Sequence, residues 1–403
     1  MPNRQGDLNV LVISRLYPRP ADPVLGIFVE EEVKELARLC KVKVVSPAPW
    51  SPPLKIISKW YDYSQLPVRE TRKGIEVLRP RTLLLPRNLL FPLYGFFSYL
   101  TLRRWMPMIL EDFPIDLIHA HTAYPDGFAA VMLGKALNLP TVVTLHGGDV
   151  TLYFQRYFGR KLGLWALSNT DRVITVSNSL RRTVVEEYGA DDDKITVIPN
   201  GVDVTRFAPI PQSEARDRLR LQREAPMVLY VGAITTSKGI GYLLRAYKLL
   251  LSGRSEPVQL ILLGDGDYEQ RARLLASELD IADSVTFVGK RSNEEIPLWM
   301  NACDLLVLPS LREGFGVVLV EAMACGKPLI ATACGGPEDI VTPQTGILVP
   351  PADEVALAQA LRDTLSNGTR FLPRVIRQRA VDDYAYDAIA PQILSLYRQA
   401  LQG

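Results

Sequence analysis

The sequence predicts an α/β protein with two doubly wound halves, each built on a parallel sheet that helices cover on both faces. Three observations support this prediction. Short apolar runs alternate with longer segments whose apolar residues recur at helical spacing. The runs are apolar throughout, which is typical of strands buried on both faces of a parallel sheet. The runs also form two sets, and a polar stretch with several prolines separates them near residue 205.

The first set gives the elements of the N-terminal half in chain order. Strands are predicted at 8–13, 42–46, 116–121, 141–146 and 172–177. Helices are predicted at 28–39, 127–137 and 180–188, where apolar residues recur every three or four positions among charged ones.

The second set repeats the alternation. Its strands are predicted at 227–231, 259–264, 285–288, 305–309 and 329–332, again with helices between them. The chain has 403 residues, which suits two domains of about 200 residues each. We therefore predict the domains 1–205 and 206–380, followed by a C-terminal helix within 381–403 that crosses back to the first domain.

Composition and charge exclude several classes of protein. Hydrophobic residues make up 47% of the chain and charged residues 22%, which excludes a disordered chain. There are 46 Lys and Arg residues against 44 Asp and Glu residues, so the net charge is only +2 and no nucleic-acid partner is expected. The four cysteines form no CxxC pair, which indicates reduced thiols and a cytoplasmic protein.

The segment 79–110 departs from the alternating pattern. It contains five arginines and no acidic residue, together with many Leu, Phe, Tyr and Trp residues. Its longest uncharged run, 88–102, has 15 residues and contains Pro92, whereas about 18 apolar residues are needed to cross a bilayer. Two interpretations stay open: a partly buried helical hairpin, or an amphipathic patch that contacts anionic lipid or a lipid-linked acceptor.

All three histidines lie at or near the ends of predicted strands of the first half. His119 and His121 lie two residues apart and share one face of a strand, and His146 ends the next strand. Ligands of open parallel sheets bind beyond the carboxyl ends of the strands. We therefore predict His121 and His146 as site residues, because a neutral imidazole can orient a phosphate or polarise a hydroxyl. We interpret His119 as a core residue. Three clustered histidines also suggest zinc, but no cysteine or spaced carboxylate completes a metal site, so none is predicted.

Glycine-containing loops mark the other candidate positions. Gly26 precedes the first helix, where a backbone without a Cβ atom can approach a phosphate. Lys238 lies between a strand and a helix, where an ammonium group suits a diphosphate. Glu313 and Glu321 are eight residues apart around the start of another helix. The first carboxylate can accept hydrogen bonds from sugar hydroxyls, and the second can hold a ribose diol.

Taken together, these motifs resemble family 4 of the retaining glycosyltransferases, also called glycosyl transferases group 1. The matching stretches are 198–203, 231–232, 238–239, 263–266, 285–289, 309–328, 335–338 and 345–350. The first half matches more loosely, at Gly26, 119–121 and 144–149, and looks most like bacterial enzymes that make cell-surface polysaccharide or glycolipid. The resemblance implies the GT-B fold, in which two Rossmann-like domains face a central cleft.

The resemblance also implies a role for each candidate residue. Lys238 would hold the leaving diphosphate of a nucleotide sugar, with help from backbone amides at Gly26 and Gly316. Glu321 would bind the ribose, and Glu313 would contact the transferring sugar. The remaining donor-binding positions implied are Gly289, Lys290 and Arg291 beside the base, and Gly314, Phe315 and Gly316 beside the sugar. His121 or His146 would face the sugar and the acceptor hydroxyl.

The implied activity is metal-independent transfer of a hexose, with retention, from a nucleoside diphosphate sugar to a carbohydrate or lipid-linked acceptor. No cofactor is expected, and the protein would be cytoplasmic or peripheral on the inner face of a membrane. Alternatives are a nucleotide-sugar epimerase or phosphorylase of similar fold, a non-catalytic sugar-nucleotide-binding protein and a zinc hydrolase. One departure is Ala233, where many relatives carry an arginine that forks a phosphate; Lys290 or Arg291 would have to compensate.

Overall fold

The computed structural model describes residues 8–51, 58–84, 89–252, 256–366 and 370–402. The chain divides into two compact units. The first comprises Met1–Asn200 together with Ile389–Gly403, and the second comprises Gly201–Ala388. The end of the chain therefore belongs to the first unit.

The first unit is built on a mostly parallel sheet. Its strands are β1 (Asn9–Ile13), β2 (Lys41–Val45), β3 (Ala48–Pro49), β4 (Arg69–Arg72), β5 (Ile75–Leu78), β6 (Arg81–Thr82), β7 (Leu117–His121), β8 (Thr141–Leu145), β9 (Arg172–Thr175) and β10 (Ile195–Val197). The strand order is β10-β9-β8-β7-β1-β2-β5-β4, in which β4 alone runs antiparallel, while β3 and β6 form a separate short pair. The order reverses at β1, whose neighbours are β2 and β7, so a ligand crevice is expected at the carboxyl ends of β1 and β7.

Helices cover both faces of this sheet. They are α1 (Ile27–Leu36), α2 (Ser58–Gln65), α3 (Tyr94–Asp112), α4 (Phe128–Leu137), α5 (Gly148–Tyr153), α6 (Tyr157–Asn169) and α7 (Asn178–Arg182). The strands predicted from the sequence are confirmed, with ends that differ by one or two residues. The β4–β5 hairpin escaped prediction because β4 reads Arg-Glu-Thr-Arg and lies at the sheet edge, where no apolar pattern is needed.

The second unit contains a fully parallel sheet. Its strands are β11 (Met227–Val231), β12 (Gln259–Leu263), β13 (Val285–Gly289), β14 (Leu305–Leu308), β15 (Leu329–Thr332) and β16 (Gly346–Val349), in the order β13-β12-β11-β14-β15-β16. Its helices are α8 (Gln212–Leu219), α9 (Ile240–Leu251), α10 (Glu269–Glu278), α11 (Ile296–Ala302), α12 (Val317–Ala324), α13 (Pro337–Ile340), α14 (Glu354–Ser366) and α15 (Pro373–Tyr384). The strand order reverses between β11 and β14, which places a second expected crevice there.

The last helix, α16 (Tyr386–Ala400), begins in the second unit and ends in the core of the first. Ile389, Ile393 and Tyr397 of α16 are almost fully buried in one apolar cluster with Val29 and Val33 of α1. Burial of such side chains contributes about 1.5–3 kcal/mol each. The first unit therefore depends on the C-terminal residues for part of its core.

The segment 79–110 is not a helical hairpin, so that expectation was wrong. It begins as an extended chain through β6 and continues, after residues 85–88, into the single helix α3. Pro92 does not break this helix, because it lies in a 3₁₀ turn, Phe91–Leu93, directly before it. Proline is tolerated in the first turn of a helix, where its missing N–H would be unpaired anyway. Among the described residues, no helix is long and apolar enough to cross a membrane.

Arg79, one of the five arginines of this segment, lies in the interior and so does not belong to an amphipathic surface patch. Its guanidinium is 2% exposed and donates to Glu70 Oε1 at 2.6 and 2.9 Å, to Ser46 Oγ at 3.1 Å and to the Pro18 carbonyl at 2.6 Å. Arg81 likewise donates to backbone carbonyls, at Tyr63 and Leu66. Both arginines therefore stabilise the fold, and neither faces a lipid surface.

We expect Arg79→Met to lower the free energy of unfolding by about 3 kcal/mol, because it leaves the Glu70 carboxylate without its buried partner. Urea denaturation of the purified variant measures this. The control is Arg181→Ala, which removes an exposed pair with Asp192 and should change stability little. Equal effects of the two variants would contradict the structural role assigned to Arg79.

Candidate functional site

Lys238 and Glu313 lie together at the expected crevice of the second unit. They belong to the loops that follow β11 and β14, which are neighbouring strands. Lys238 Nζ is 2.5 Å from Glu313 Oε2, and Ser310 Oγ donates to the same oxygen at 3.1 Å. The two charged side chains are 27% and 16% exposed, so the pair is half-buried and reachable. The structure thus brings together two of the residues that the sequence predicted.

The two loops are fixed against each other by backbone contacts. Gly239 has φ +69°, and a Cβ atom there would lie 1.9 Å from the Pro309 carbonyl oxygen, so only glycine fits. The Leu311 amide donates to the Ser237 carbonyl at 2.8 Å. Because both loops are anchored by backbone, the ammonium and carboxylate are held in register without depending on side-chain packing.

The loop of Glu313 leads into α12. Gly316 precedes this helix with φ +95°, and Phe315 beside it is buried. The first turn of α12 therefore points its backbone amides toward Gly314–Gly316, the arrangement that favours an anion. Glu321 is half-buried in the second turn of the same helix. These positions agree with the sequence prediction of a carboxylate before the helix and another within it.

Gly289, Lys290 and Arg291 lie at the far edge of the same sheet. They end or follow β13, which β12 separates from β11, so they are about 10 Å from the Lys238 strand across the sheet. Arg291 Nε is 3.7 Å from Glu295 Oε2. The arginine suggested as a substitute for the missing phosphate fork at Ala233 is therefore engaged with a neighbouring carboxylate.

In the first unit, Gly26 directly precedes α1 at the reversal point of the sheet. Its φ is +63°, and a Cβ atom would lie 2.2 Å from the Leu16 carbonyl oxygen. The loop after β1 thus closes on itself at this residue. Helix α1 begins immediately afterwards, so the positive end of its dipole lies at this loop.

His121 and His146 form a hydrogen-bonded pair at the ends of β7 and β8. His121 Nδ1 is 3.0 Å from His146 Nε2, and the two rings lie side by side, with their planes 11° apart and their centroids 5.3 Å apart. His146 also packs against the ring of Phe28 in α1. Burial lowers the pKa of His146 to about 3 and that of His121 well below its usual value, so both are neutral at pH 7.

His119 is a core histidine, as the sequence indicated. It is fully buried, and its two ring nitrogens lie 2.7 Å from Tyr397 Oη and 2.7 Å from Thr144 Oγ1. Burial lowers its pKa to about 3. The hydroxyl from α16 thus links the C-terminal helix to the strand that carries the histidines.

Sequence reasoning missed Glu32, which is buried beside these histidines. Its Oε1 atom is 3.8 Å from His121 Nε2. The signal was present, since Val29, Glu32, Val33 and Leu36 recur at helical spacing and Glu32 is the charged residue on that apolar stripe. The neighbouring glutamates in the same run obscured it.

Sequence reasoning also missed Asp149, which joins the loops of the two histidine-bearing strands. One carboxylate oxygen accepts from the Ala123 amide at 3.1 Å, and the other accepts from the His146 amide at 3.2 Å. Burial raises the pKa of the Asp149 carboxyl group. Asp149 therefore fixes the backbone of the His146 loop relative to the end of β7.

Glu32, His119 and His121 are the described residues whose spacing suits a metal, with ligand atoms within 4.8 Å of one another. Both nitrogens of His119 are already hydrogen-bonded, however, so a metal would have to displace Tyr397 or Thr144. We therefore interpret these residues as part of a buried polar cluster rather than as a metal site.

We expect His119→Gln to weaken the loss of stability in acid. An unfolded histidine binds a proton below about pH 6.5, whereas folded His119 stays neutral down to about pH 3. The free energy of unfolding therefore falls as the pH is lowered through that window, because only the unfolded state gains the proton. Between about pH 7.5 and about pH 5, this one residue costs the wild type about 2 kcal/mol of unfolding free energy. Urea denaturation at both pH values should show a drop smaller by that amount in the variant. An unchanged drop would contradict burial of a neutral His119.

Comparison with known proteins covers both units. The model of the family described as glycosyl transferases group 1 matches residues 211–386, and that of Glycosyltransferase Family 4 matches residues 25–206. The putative teichuronic acid biosynthesis glycosyltransferase TuaC of Bacillus subtilis is 30% identical over 396 residues, which are 96% of this chain and 94% of that protein.

Solved structures of glycosyltransferases share the fold. The sucrose-phosphate synthase of Thermosynechococcus elongatus has a TM-score of 0.80 at 26% identity and covers 98% of this chain and 99% of its own. Anabaena HepE, solved with UDP-glucose, has a TM-score of 0.74 at 21% identity and covers 97% of this chain and 100% of its own. The predicted GT-B fold, with two Rossmann-like domains, is thereby confirmed.

Proposed function

The chain belongs to the glycosyl transferases group 1 family of glycosyltransferases, and we propose that it transfers a sugar from a nucleoside diphosphate donor to an acceptor hydroxyl with retention of configuration. The observation that carries the proposal is the half-buried Lys238–Glu313 pair at the sheet reversal of the second unit. An ammonium group there can compensate the charge that develops on a departing diphosphate. The diphosphate would compete with Glu313 for Lys238 and leave the carboxylate available to sugar hydroxyls.

The reaction follows from this arrangement without a strong base. The bond between the anomeric carbon and the diphosphate oxygen breaks while the acceptor oxygen bonds to the same face of the sugar. The acceptor proton passes to the departing phosphate oxygen. Lys238 and the amides at the start of α12 stabilise the departing charge, a task that a metal ion performs in other enzymes, so we propose a metal-independent reaction.

The other residues of the second unit take parts consistent with their positions. We assign the ribose to Glu321, the sugar to Glu313 with the backbone of Gly314–Gly316, and the base to the edge at Gly289–Arg291. For the first unit we propose the acceptor side, with His121 and His146 as its polar groups and the amides after Gly26 as an anion-binding helix start.

The proposed acceptor is a cell-surface polysaccharide or glycolipid precursor. TuaC is named for teichuronic acid biosynthesis, and it aligns along almost the whole chain. We propose the same broad class of acceptor here, used on the cytoplasmic face of a membrane. The donor class is proposed from Lys238 and is in keeping with the UDP-glucose bound by HepE, which shares the fold.

An exposed face of α3 supports contact with an anionic membrane. Leu93, Phe96 and Leu100 are each more than 40% exposed, and Arg103 and Arg104 continue the same face. We call these five residues the α3 patch. Arg87, which the sequence grouped with them, lies outside the described residues. Apolar residues flanked by arginines suit the boundary between headgroups and acyl chains.

We expect Lys238→Ala to reduce kcat for sugar transfer about 10²–10³-fold, because it removes the cation that stabilises the leaving diphosphate. Lys238→Arg should retain more activity than Lys238→Ala. Glu321→Ala should mainly raise the KM for the donor.

A screen of nucleotide sugars by thermal shift identifies the donor, and release of the nucleoside diphosphate then measures turnover. The control, Arg271→Ala, alters an exposed pair on α10 and should match the wild type. Full activity in both Lys238 variants would refute the proposed donor site.

We expect the protein to bind vesicles that contain anionic lipid, and less strongly as salt is raised. Each arginine near such a surface contributes about 1 kcal/mol, so Arg103→Ser with Arg104→Ser should weaken binding about 30-fold. Flotation with vesicles of phosphatidylglycerol and phosphatidylcholine measures the effect. The charge-matched control replaces exposed Arg218 and Arg271 by serine. Undiminished binding of the α3 variant would exclude the α3 patch.

A further inference from the structure

Glu32, His121 and His146 form a chain that runs from the core to the end of β8. Glu32 Oε1 is 3.8 Å from His121 Nε2, and His121 Nδ1 is 3.0 Å from His146 Nε2. Helix α1 contacts the chain twice, because Phe28 packs on the His146 ring and Glu32 lies one turn later on the same face. The three residues therefore follow one another from Glu32 to His146, and His146 Nδ1 is the ring nitrogen that does not pair with His121.

Three side-chain polar atoms of the series Glu32, His121 and His146 are buried and have no hydrogen-bond partner. Within the described part of the protein they are Glu32 Oε1, His121 Nε2 and His146 Nδ1. The first two face each other at 3.8 Å, so a hydrogen bond between them requires the carboxyl group to move about 1 Å closer to the ring. Pairing of these two atoms would leave His146 Nδ1 as the one atom of the three without a partner.

The chain allows two proton arrangements. His121 Nδ1 and His146 Nε2 share one proton between them. If the carboxyl group of Glu32 donates to His121 Nε2, then His121 carries its proton on Nδ1 and donates to His146, and His146 must carry its own proton on Nδ1. If Glu32 is instead a carboxylate, His121 carries its proton on Nε2 and His146 donates from Nε2. His146 Nδ1 is then a lone pair. The second arrangement contains one proton fewer, which has gone to solvent.

The surroundings of Glu32 favour the first arrangement at neutral pH. The titratable groups that face it are His119 and His121 of β7 and Tyr397 of α16, and His146 is linked to it only through His121. Burial keeps the three histidines neutral and raises the pKa of Tyr397. None of these groups supplies a positive charge, and burial raises the pKa of Glu32 to about 8.

We propose that Glu32 is a positioning residue that acts through His121 to make His146 present an Nδ1–H donor at neutral pH. This inference rests on the proposed transferase function, in which His146 belongs to the acceptor side and meets a hydroxyl oxygen. Such an oxygen accepts a hydrogen bond from Nδ1–H but not from a lone pair. Loss of the Glu32 proton therefore reverses the polarity of the group offered to the substrate, although Glu32 itself never touches it.

The tautomers are measured directly in protein whose histidine rings carry nitrogen-15. The chain has three histidines, so the long-range proton–nitrogen spectrum contains three rings, and Tyr397→Phe identifies that of His119. At about pH 7 we expect His121 and His146 to be protonated on Nδ1, and above about pH 8 to shift to Nε2. Glu32→Gln should abolish this shift, because its amide donates to His121 at every pH. An Nε2–H tautomer of His146 at pH 7, or a shift that persists in Glu32→Gln, would overturn the proposal.

Kinetics test the consequence for the reaction. Glu32→Leu should lower kcat at least tenfold with little change in the donor KM. Glu32→Gln should recover most of that loss and lack the alkaline limb near pH 8 that the wild type shows. Glu35→Gln, on the same helix but paired with Lys34 and Arg38, is the matched control and should keep the wild-type profile. A pH profile of Glu32→Gln identical to the wild type would overturn the proposal.

Two further outcomes, the absence of any sugar transfer and the presence of bound zinc, can be distinguished from those above. If no nucleotide sugar supports transfer, the proposed function fails, whereas the spectra still decide the role of Glu32 because they need no substrate. One equivalent of zinc in the purified protein, lost in Glu32→Gln, would make Glu32 and His121 metal ligands and overturn the proposal. Thermal unfolding of each variant confirms that it is folded before the comparison is made.

Discussion

The ion pair between Lys238 and Glu313 is the interaction on which the proposed donor site depends. A cation placed for a diphosphate must be kept at the crevice when no ligand is bound, and a half-buried carboxylate at 2.5 Å does this. The pair can form because β11 and β14 are neighbours although the two residues are 75 positions apart in the sequence. Parallel strands bring all their carboxyl ends to one edge, so the topology, rather than any local motif, unites the two charges.

Much of this arrangement could be predicted from the sequence, for physical reasons that apply to particular segments. Strands buried on both faces, such as Met227–Val231, must be apolar at every position, so their location is encoded locally. The places of Lys238 after a strand and of Gly316 before a helix could be predicted, because glycine and charged residues next to strand and helix ends are typical of loops. The positions of Glu313 and Glu321, eight residues apart, predicted that Glu313 lies before the helix α12 and Glu321 within it.

The errors have an equally physical origin. Arg79 and Glu32 are charged residues in the interior, and the groups beside them belong to other elements of the fold. Arg79 donates to Glu70, nine residues away on the neighbouring strand, and to the carbonyl of Pro18, 61 residues away, and no local pattern around Arg79 predicts these contacts. The helical hairpin expected for 79–110 was wrong because the pattern did not show where the helix begins, which is directly after the 3₁₀ turn that contains Pro92. Long-range pairing and exact element ends are the properties that a local pattern does not contain.

The candidate residues of the two units differ in charge: those of the second unit are ionised and partly exposed, and those of the first are buried and neutral. This difference bears on the proposed reaction. The second unit offers permanent charges that are partly exposed, which suits a donor that arrives with a charged diphosphate. The first unit offers histidines that burial keeps neutral, with pKa values of about 3 at His119 and His146. A buried neutral cluster accepts a charged group only at high cost in free energy. An acceptor that meets these histidines should therefore present an uncharged hydroxyl, and its proton should leave with the departing phosphate rather than accumulate on the cluster.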